Sequence, residues 1–159
     1  MNEGMADALR PQDVQVASRE PLAGTTADVG KLVLRLVTGG LMLFHGIEKL
    51  AHGLDHVRGD LAAAGLPSAL AHGVYIGEIV APICIIAGLW TRAWAIVYAA
   101  SIAFAVAIVH GRDFARLAPT GAWAAELWIF YIVCPIVIAL LGPGRFSLDR
   151  RYFFRAYPP

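Results

Sequence analysis

Arg35, His45, Glu48, Lys49, Glu78, His110 and Glu126 interrupt stretches of chain that are otherwise apolar. Carboxylates, imidazoles and cations in such surroundings are the groups that relay protons or hydrogen-bond a polar ligand away from bulk water. A charge at the centre of a membrane helix costs roughly 2.5–3.5 kcal/mol on insertion scales, so it faces a partner or a cavity. A carboxylate there is either paired or protonated. Cys84 and Cys134 also lie in apolar runs, each beside a proline (Pro82, Pro135). Neither has a second Cys or a His at metal-ligand spacing, so no metal site is expected. Thiols in hydrocarbon are poor nucleophiles, and small-residue packing is their expected role.

The elements that position these groups follow from composition. Of the 159 residues, 58% are hydrophobic and 16% charged, against roughly 25% charged in a typical soluble domain. A water-soluble or disordered chain is excluded, and the net charge of +1 gives no basic field for a nucleic-acid partner. At about 20 residues per span, the apolar stretches divide into four: 29–50, 69–90, 93–110 and 121–141. Thr91 and Arg92 leave almost no loop between the second and third, which forces a hairpin. The predicted fold is therefore all-α, an integral membrane four-helix bundle with antiparallel up-down topology. Residues 1–28 read as a polar, disordered cytoplasmic tail with a fraying helix near 13–20, and lack the apolar core of a signal peptide. Residues 29–149 form the membrane domain, and 150–159 a basic-aromatic cytoplasmic tail. The 51–68 loop is expected to carry a short interfacial helix closed by Gly65 and Pro67.

At about 100° per residue, Arg35, Thr38, Met42, His45 and Lys49 share one face of the first span, roughly 80° wide. Gly39 and Gly46 lie beside that face and admit a neighbouring helix; Glu48 falls off it. Glu78 and Glu126 are the expected counter-ions. All these groups except Arg35 belong to the outer half of the membrane. Arg35 is about 15 Å from His45 along the helix, so one compact cluster does not easily include both. Lys49, Glu48 and His110 stand close enough to the span ends to serve equally as interfacial anchors. A purely structural ion pair is a second reading of Glu78 and Glu126.

Ordered motifs resemble the DoxX family. They are Leu34-Arg35-Leu36, Phe44 to Leu50 (FHGIEKL), Gly65-Leu66-Pro67, Gly77-Glu78-Ile79, Ala87 to Arg92 (AGLWTR), and Gly142 to Asp149 (GPGRFSLD). His110 and Glu126 match its later polar positions. The resemblance implies a four-helix protein of the bacterial inner (cytoplasmic) membrane, multi-pass, linked to membrane oxidoreductase systems that include a quinone-linked one. No haem, flavin or iron–sulfur motif is visible.

Three functions fit this pattern. In the first, the chain is the membrane subunit of an oxidoreductase system. It holds a quinone-type or other small ligand at His45, Lys49, Glu78, His110 and Glu126, with Arg35 or Lys49 donating to carbonyls. In the second it is a small proton or solute transporter. In the third it is a non-catalytic scaffold for a redox or stress-response partner. A redox-protein partner or a homo-oligomer suits each, with the lipid bilayer as the constant partner.

Orientation follows from the basic residues. The side holding both termini collects Arg10, Arg19, Lys31, Arg35, Arg92, Arg145, Arg150, Arg151 and Arg155; the other has Lys49, Arg58, Arg112 and Arg116. Both termini are therefore expected in the cytoplasm. A cysteine placed in the 55–65 loop should react with a membrane-impermeant thiol reagent on intact cells; labelling only after lysis would reverse the orientation.

Overall fold

The computed structural model describes residues 11–111, 113–117, 119 and 121–150. It is all-helical, with no β-strand among the described residues beyond a single bridge between Leu117 and Trp123. Helix α1 spans Pro11–His52 and α2 spans Asp55–Ala63. Helix α3 spans Ser68–Ala87, α4 Thr91–Val109 and α5 Glu126–Leu141. Helices α3 and α4 are each long and apolar enough to cross a membrane, and α5 is a shorter apolar helix.

Helix α1 packs on α3, α3 on α4, α4 on α5, and α5 back on α1. Met42, Ala81, Ile85, Ala95, Tyr98, Ile102, Val106 and Ile138 are buried between them. The outward faces are apolar too. Val33, Leu36, Val37, Leu41, Phe44 and Ile47 are exposed on α1, and Leu127, Phe130, Val133, Ile136 and Leu140 on α5. Contiguous apolar exposure on this scale marks a surface that meets lipid or protein rather than water. A second small core of Leu54, Leu61 and Ala71, joined by Val57, Leu66, Tyr75 and Ile108, holds α2 across the start of α3 and the end of α4. This is the short helix expected in the 51–68 loop.

Two boundaries differ from the sequence reading. The expected disordered tail is helical from Pro11 onward, while residues 1–10 and 151–159 lie outside the described residues. Pro at the first helical position lacks only a donor that would be orphaned anyway. At the other end of this stretch Asp28 is buried and accepts a hydrogen bond from the Arg145 backbone N–H at 3.1 Å, which fixes the helix there. The fourth apolar helix begins at Glu126 rather than near 121. Gly121 has φ +84°, and the Leu117–Trp123 bridge keeps 121–125 in a turn. Trp123 Nε1 also donates to the Phe114 carbonyl at 3.0 Å.

The helix ends that meet near Gly88 and Pro143 are tied together by Arg35, which is 1% exposed. Its Nε donates to Ile85 O at 2.8 Å and Nη2 to Ile86 O at 2.7 Å, capping the last carbonyls of α3. Its Nη1 donates to Pro143 O at 2.7 Å and Phe146 O at 2.9 Å, in the loop after α5. Gly88 ends α3 in a left-handed conformation, φ +73°. A Cβ there would stand 2.5 Å from Arg35 Nη2 and 2.6 Å from Ser147 Cβ, so glycine is required for space as well as for φ. Asp149 caps α4: its carboxylate accepts from the backbone N–H groups of Trp90 (2.6 Å) and Thr91 (2.9 Å) and from Thr91 Oγ1 (2.9 Å). Two free amides at a helix start, where the helix dipole is positive, suit a carboxylate. Arg145 turns to Asp28, with Nε 3.7 Å from Oδ2.

Arg35→Met should strand four carbonyls and lower stability by at least about 3 kcal/mol, at roughly 1–3 kcal/mol for each buried group left unsatisfied. Asp149→Ala removes only a cap and should cost about 1–2 kcal/mol. Thermal unfolding in detergent checks the order, and equal melting of Arg35→Met and wild type would refute the role given to this side chain.

Candidate functional site

The half of the molecule that carries α2 is organised by an irregular turn. Within α3, residues Ile76–Val80 form a π-helical turn that contains Glu78. Such turns insert an extra residue per turn and recur at functional positions. Glycines clamp it from two sides. A Cβ on Gly46 of α1 would stand 2.6 Å from Glu78 O and 2.5 Å from Ile79 Cγ1. A Cβ on Gly77 would overlap Ser101 Oγ of α4. The absence of side chains lets both helices close on the widened turn, one helical turn from Lys49.

That approach sets the central contact. Lys49 Nζ donates to Glu78 Oε1 at 2.5 Å and to Oε2 at 2.6 Å. Glu78 is 6% exposed and Lys49 half-buried. Both carboxylate oxygens are thus satisfied by one ammonium in a largely dehydrated setting, where their attraction is far stronger than in water.

The pair lies in the wall of a cavity of about 530 Å³. His45, Ser101, His110, Trp128 and Tyr131 also line it, with Met42, Ile102, Phe104 and Val106 as apolar wall and Glu48, His56, Val57, Asp60 and Leu61 towards α2. His110 stacks on Trp128 with ring centroids 4.3 Å apart and planes at 23°. His45 meets the Tyr131 ring edge-on at 5.7 Å, with Nε2 3.4 Å from the phenol oxygen. His56 and Asp60 of α2 face each other at 3.5 Å. Just inward of the cavity, the Tyr98 hydroxyl is buried with no hydrogen-bond partner among the described residues; its electrostatic neighbours include Glu78 and Tyr131.

Of the residues singled out in sequence, His45, Lys49, Glu78 and His110 share this cavity, and Glu48 reaches it from α1. Two do not. Arg35 is committed to backbone carbonyls at the inner end. Glu126, the first residue of α5, is exposed, with no ion-pair partner among the described residues; the later start of α5 leaves it outside the packed helices. Glu78 therefore has Lys49 to itself. Sequence reading missed Tyr98, Ser101, Tyr131, His56 and Asp60. Tyr98 and Ser101 carry the only hydroxyls between positions 93 and 110, a signal visible in the sequence. The π turn has no sequence mark. Cys84 and Cys134 are both free thiols.

The site therefore combines a fixed cation–carboxylate pair, three imidazoles and flat aromatic faces in one small chamber. It can hydrogen-bond a small polar head group, stack against it, and take up or release protons at carboxylate and imidazole.

The DoxX family profile matches residues 30–111, which takes in α1 from Gly30 through the end of α4. An uncharacterized protein of Haemophilus influenzae is 30% identical over 120 residues, covering 76% of this chain and 88% of that protein. CatD of Bacillus subtilis, which carries a provisional oxidoreductase name, is 26% identical over 122 residues, covering 77% of this chain and 86% of CatD. No solved structure matches the chain.

Breaking the Lys49–Glu78 pair from either side leaves a buried charge, so Lys49→Met and Glu78→Leu should each destabilise by about 3–5 kcal/mol. The double variant should cost clearly less than their sum. Additivity within about 0.5 kcal/mol, measured by denaturation in micelles, would show that the two groups are not coupled.

Proposed function

The chain belongs to the DoxX family, and from that premise we propose that it is the membrane subunit of an oxidoreductase system, binding a quinone-type head group in the outer cavity. In this reading α1, α3, α4 and α5 all cross the bacterial inner membrane as an antiparallel four-helix bundle, with both termini in the cytoplasm. The exposed apolar stripes on α1 and α5 support four spans, since neither face has a packing partner among the described residues. The oxidoreductase name of CatD points the same way.

The observation that carries the proposal is the buried Lys49–Glu78 pair in the wall of a cavity of about 530 Å³ with aromatic and apolar sides. That volume is in the usual range for small-molecule sites, roughly 300–1,000 Å³, and the mix of apolar wall and few polar groups is typical of them. A quinone fits this donor set: its flat ring needs apolar faces, and its carbonyl oxygens need donors. When bound, it supplies two-electron chemistry coupled to two protons. Lys49 would donate to a carbonyl oxygen while remaining paired to Glu78. His45 and His110 would hold or release protons at ring nitrogens, and Trp128 would give a stacking face. The second proton position is Glu78 itself. A redox-protein partner completes the system.

Quenching of Trp128 fluorescence by a short-chain benzoquinone in nanodiscs tests this. Wild type should saturate, while His45→Phe and Glu78→Gln should weaken binding at least about tenfold, equivalent to roughly 1.4 kcal/mol. Quenching that is unchanged in both variants, or retained in Trp128→Phe, would remove the cavity as the binding site.

A further inference from the structure

A second concave surface lies at the opposite end, around the turn from α3 to α4. Trp90 is the one non-glycine residue with positive φ among the described residues, at φ 45° and ψ 43°. Bulky residues adopt that conformation rarely. It persists because Asp149 accepts from the Trp90 N–H, and it leaves the indole 67% exposed. Beside it is a groove of about 740 Å³, lined by Trp90, Arg92, Ala93, Pro143 and Arg150 among others.

Two arginines and one acid line this groove. Asp149 is its only acidic lining residue, and both of its oxygens are taken up by the start of α4. Arg92 is exposed and has no ion-pair partner among the described residues; its guanidinium lies against the backbone of Gly142, where a Cβ would stand 3.2 Å from Nη2. Arg150 contributes a second cation to the same rim. Thr91 is the first residue of a helix apolar enough to cross a membrane, so the groove lies at headgroup depth. An exposed indole at that depth is a membrane-interface feature.

We propose that this groove binds one acidic phospholipid, its phosphate held by Arg92 and Arg150 and its glycerol and upper acyl chain against Trp90, Ala93 and Pro143. Guanidinium groups match phosphate oxygens in pairs, and basic pockets at helix ends take anionic headgroups. The tail 151–159 is the competing occupant, but it contains two further arginines and no Asp or Glu; it supplies no side-chain anion. The inference rests on the membrane reading above, and on the orientation only for which leaflet provides the lipid.

Native mass spectrometry of the full chain, released from phosphatidylcholine nanodiscs containing a minority of phosphatidylglycerol, tests it. One phosphatidylglycerol should be retained in preference to phosphatidylcholine. Each lost charge should weaken retention about fivefold, so Arg92→Gln falls about fivefold and Arg92→Gln/Arg150→Gln about thirtyfold. Arg58→Gln, in α2 at the other end, should change nothing. Equal retention of both lipids by wild type, or equal loss in Arg58→Gln, overturns the proposal. So does phosphatidylglycerol binding that appears only after residues 151–159 are removed. Nanodiscs have no sidedness, so an inverted orientation leaves this result intact. Failure of the chain to incorporate at all would sink the membrane reading instead.

Discussion

A guanidinium in a protein interior is tolerated only where acceptors surround it, and Arg35 meets that condition with four backbone carbonyls. These come from the end of α3 and from the loop after α5, so one side chain of α1 fixes the inner ends of three helices at once. Every other feature of that end depends on it. Gly88 has no side chain because Arg35 and Ser147 fill the space. The Asp149 amide donates to Gly88 O at 2.8 Å, which brings the carboxylate to the start of α4. Carbonyls at helix C-termini carry partial negative charge, so a cation there is favoured on both counts.

The two ends of the helices therefore use charge differently. At the inner end the cation is matched by uncharged carbonyls and made rigid, which suits a structural role. At the outer end Lys49 is matched by a full carboxylate, next to a chamber with imidazoles and an orphan phenol. A satisfied lattice of backbone bonds has no proton to exchange. A Lys–Glu pair with neighbouring histidines does. That contrast in chemistry is what favours the cavity beside Lys49 and Glu78 as the proposed ligand site.

Close approach of backbones is what brings the outer groups together. Gly39 faces Pro82 O and Ile86, and Gly46 faces Glu78 O; they lie seven residues apart on α1. Small residues on one face allow contact along two turns of helix. With a larger side chain at Gly46, α1 would be pushed away from the π turn and Lys49 would lose reach of Glu78.

Much of this was legible in the residues themselves. The apolar runs, the hairpin at Thr91–Arg92, the polar face through Arg35, Thr38, Met42 and Lys49, and the family motifs all follow from local pattern, because helical periodicity and hydropathy act over a few neighbouring positions. The sequence alone also separated Arg35 from the outer groups, since 1.5 Å per residue leaves no other choice. Tertiary structure decided which partner each charge took. Glu78 and Glu126 are alike as carboxylates in apolar runs, yet one is buried against Lys49 and the other exposed at a helix start. Asp149 went to the amides at the start of α4, and Asp28, more than a hundred positions away in the chain, took Arg145. The π turn, the Tyr98 hydroxyl and the left-handed Trp90 were likewise set by packing between helices far apart in the chain. Pairing energies depend on distance and burial in three dimensions, and neither quantity is written in the order of the residues.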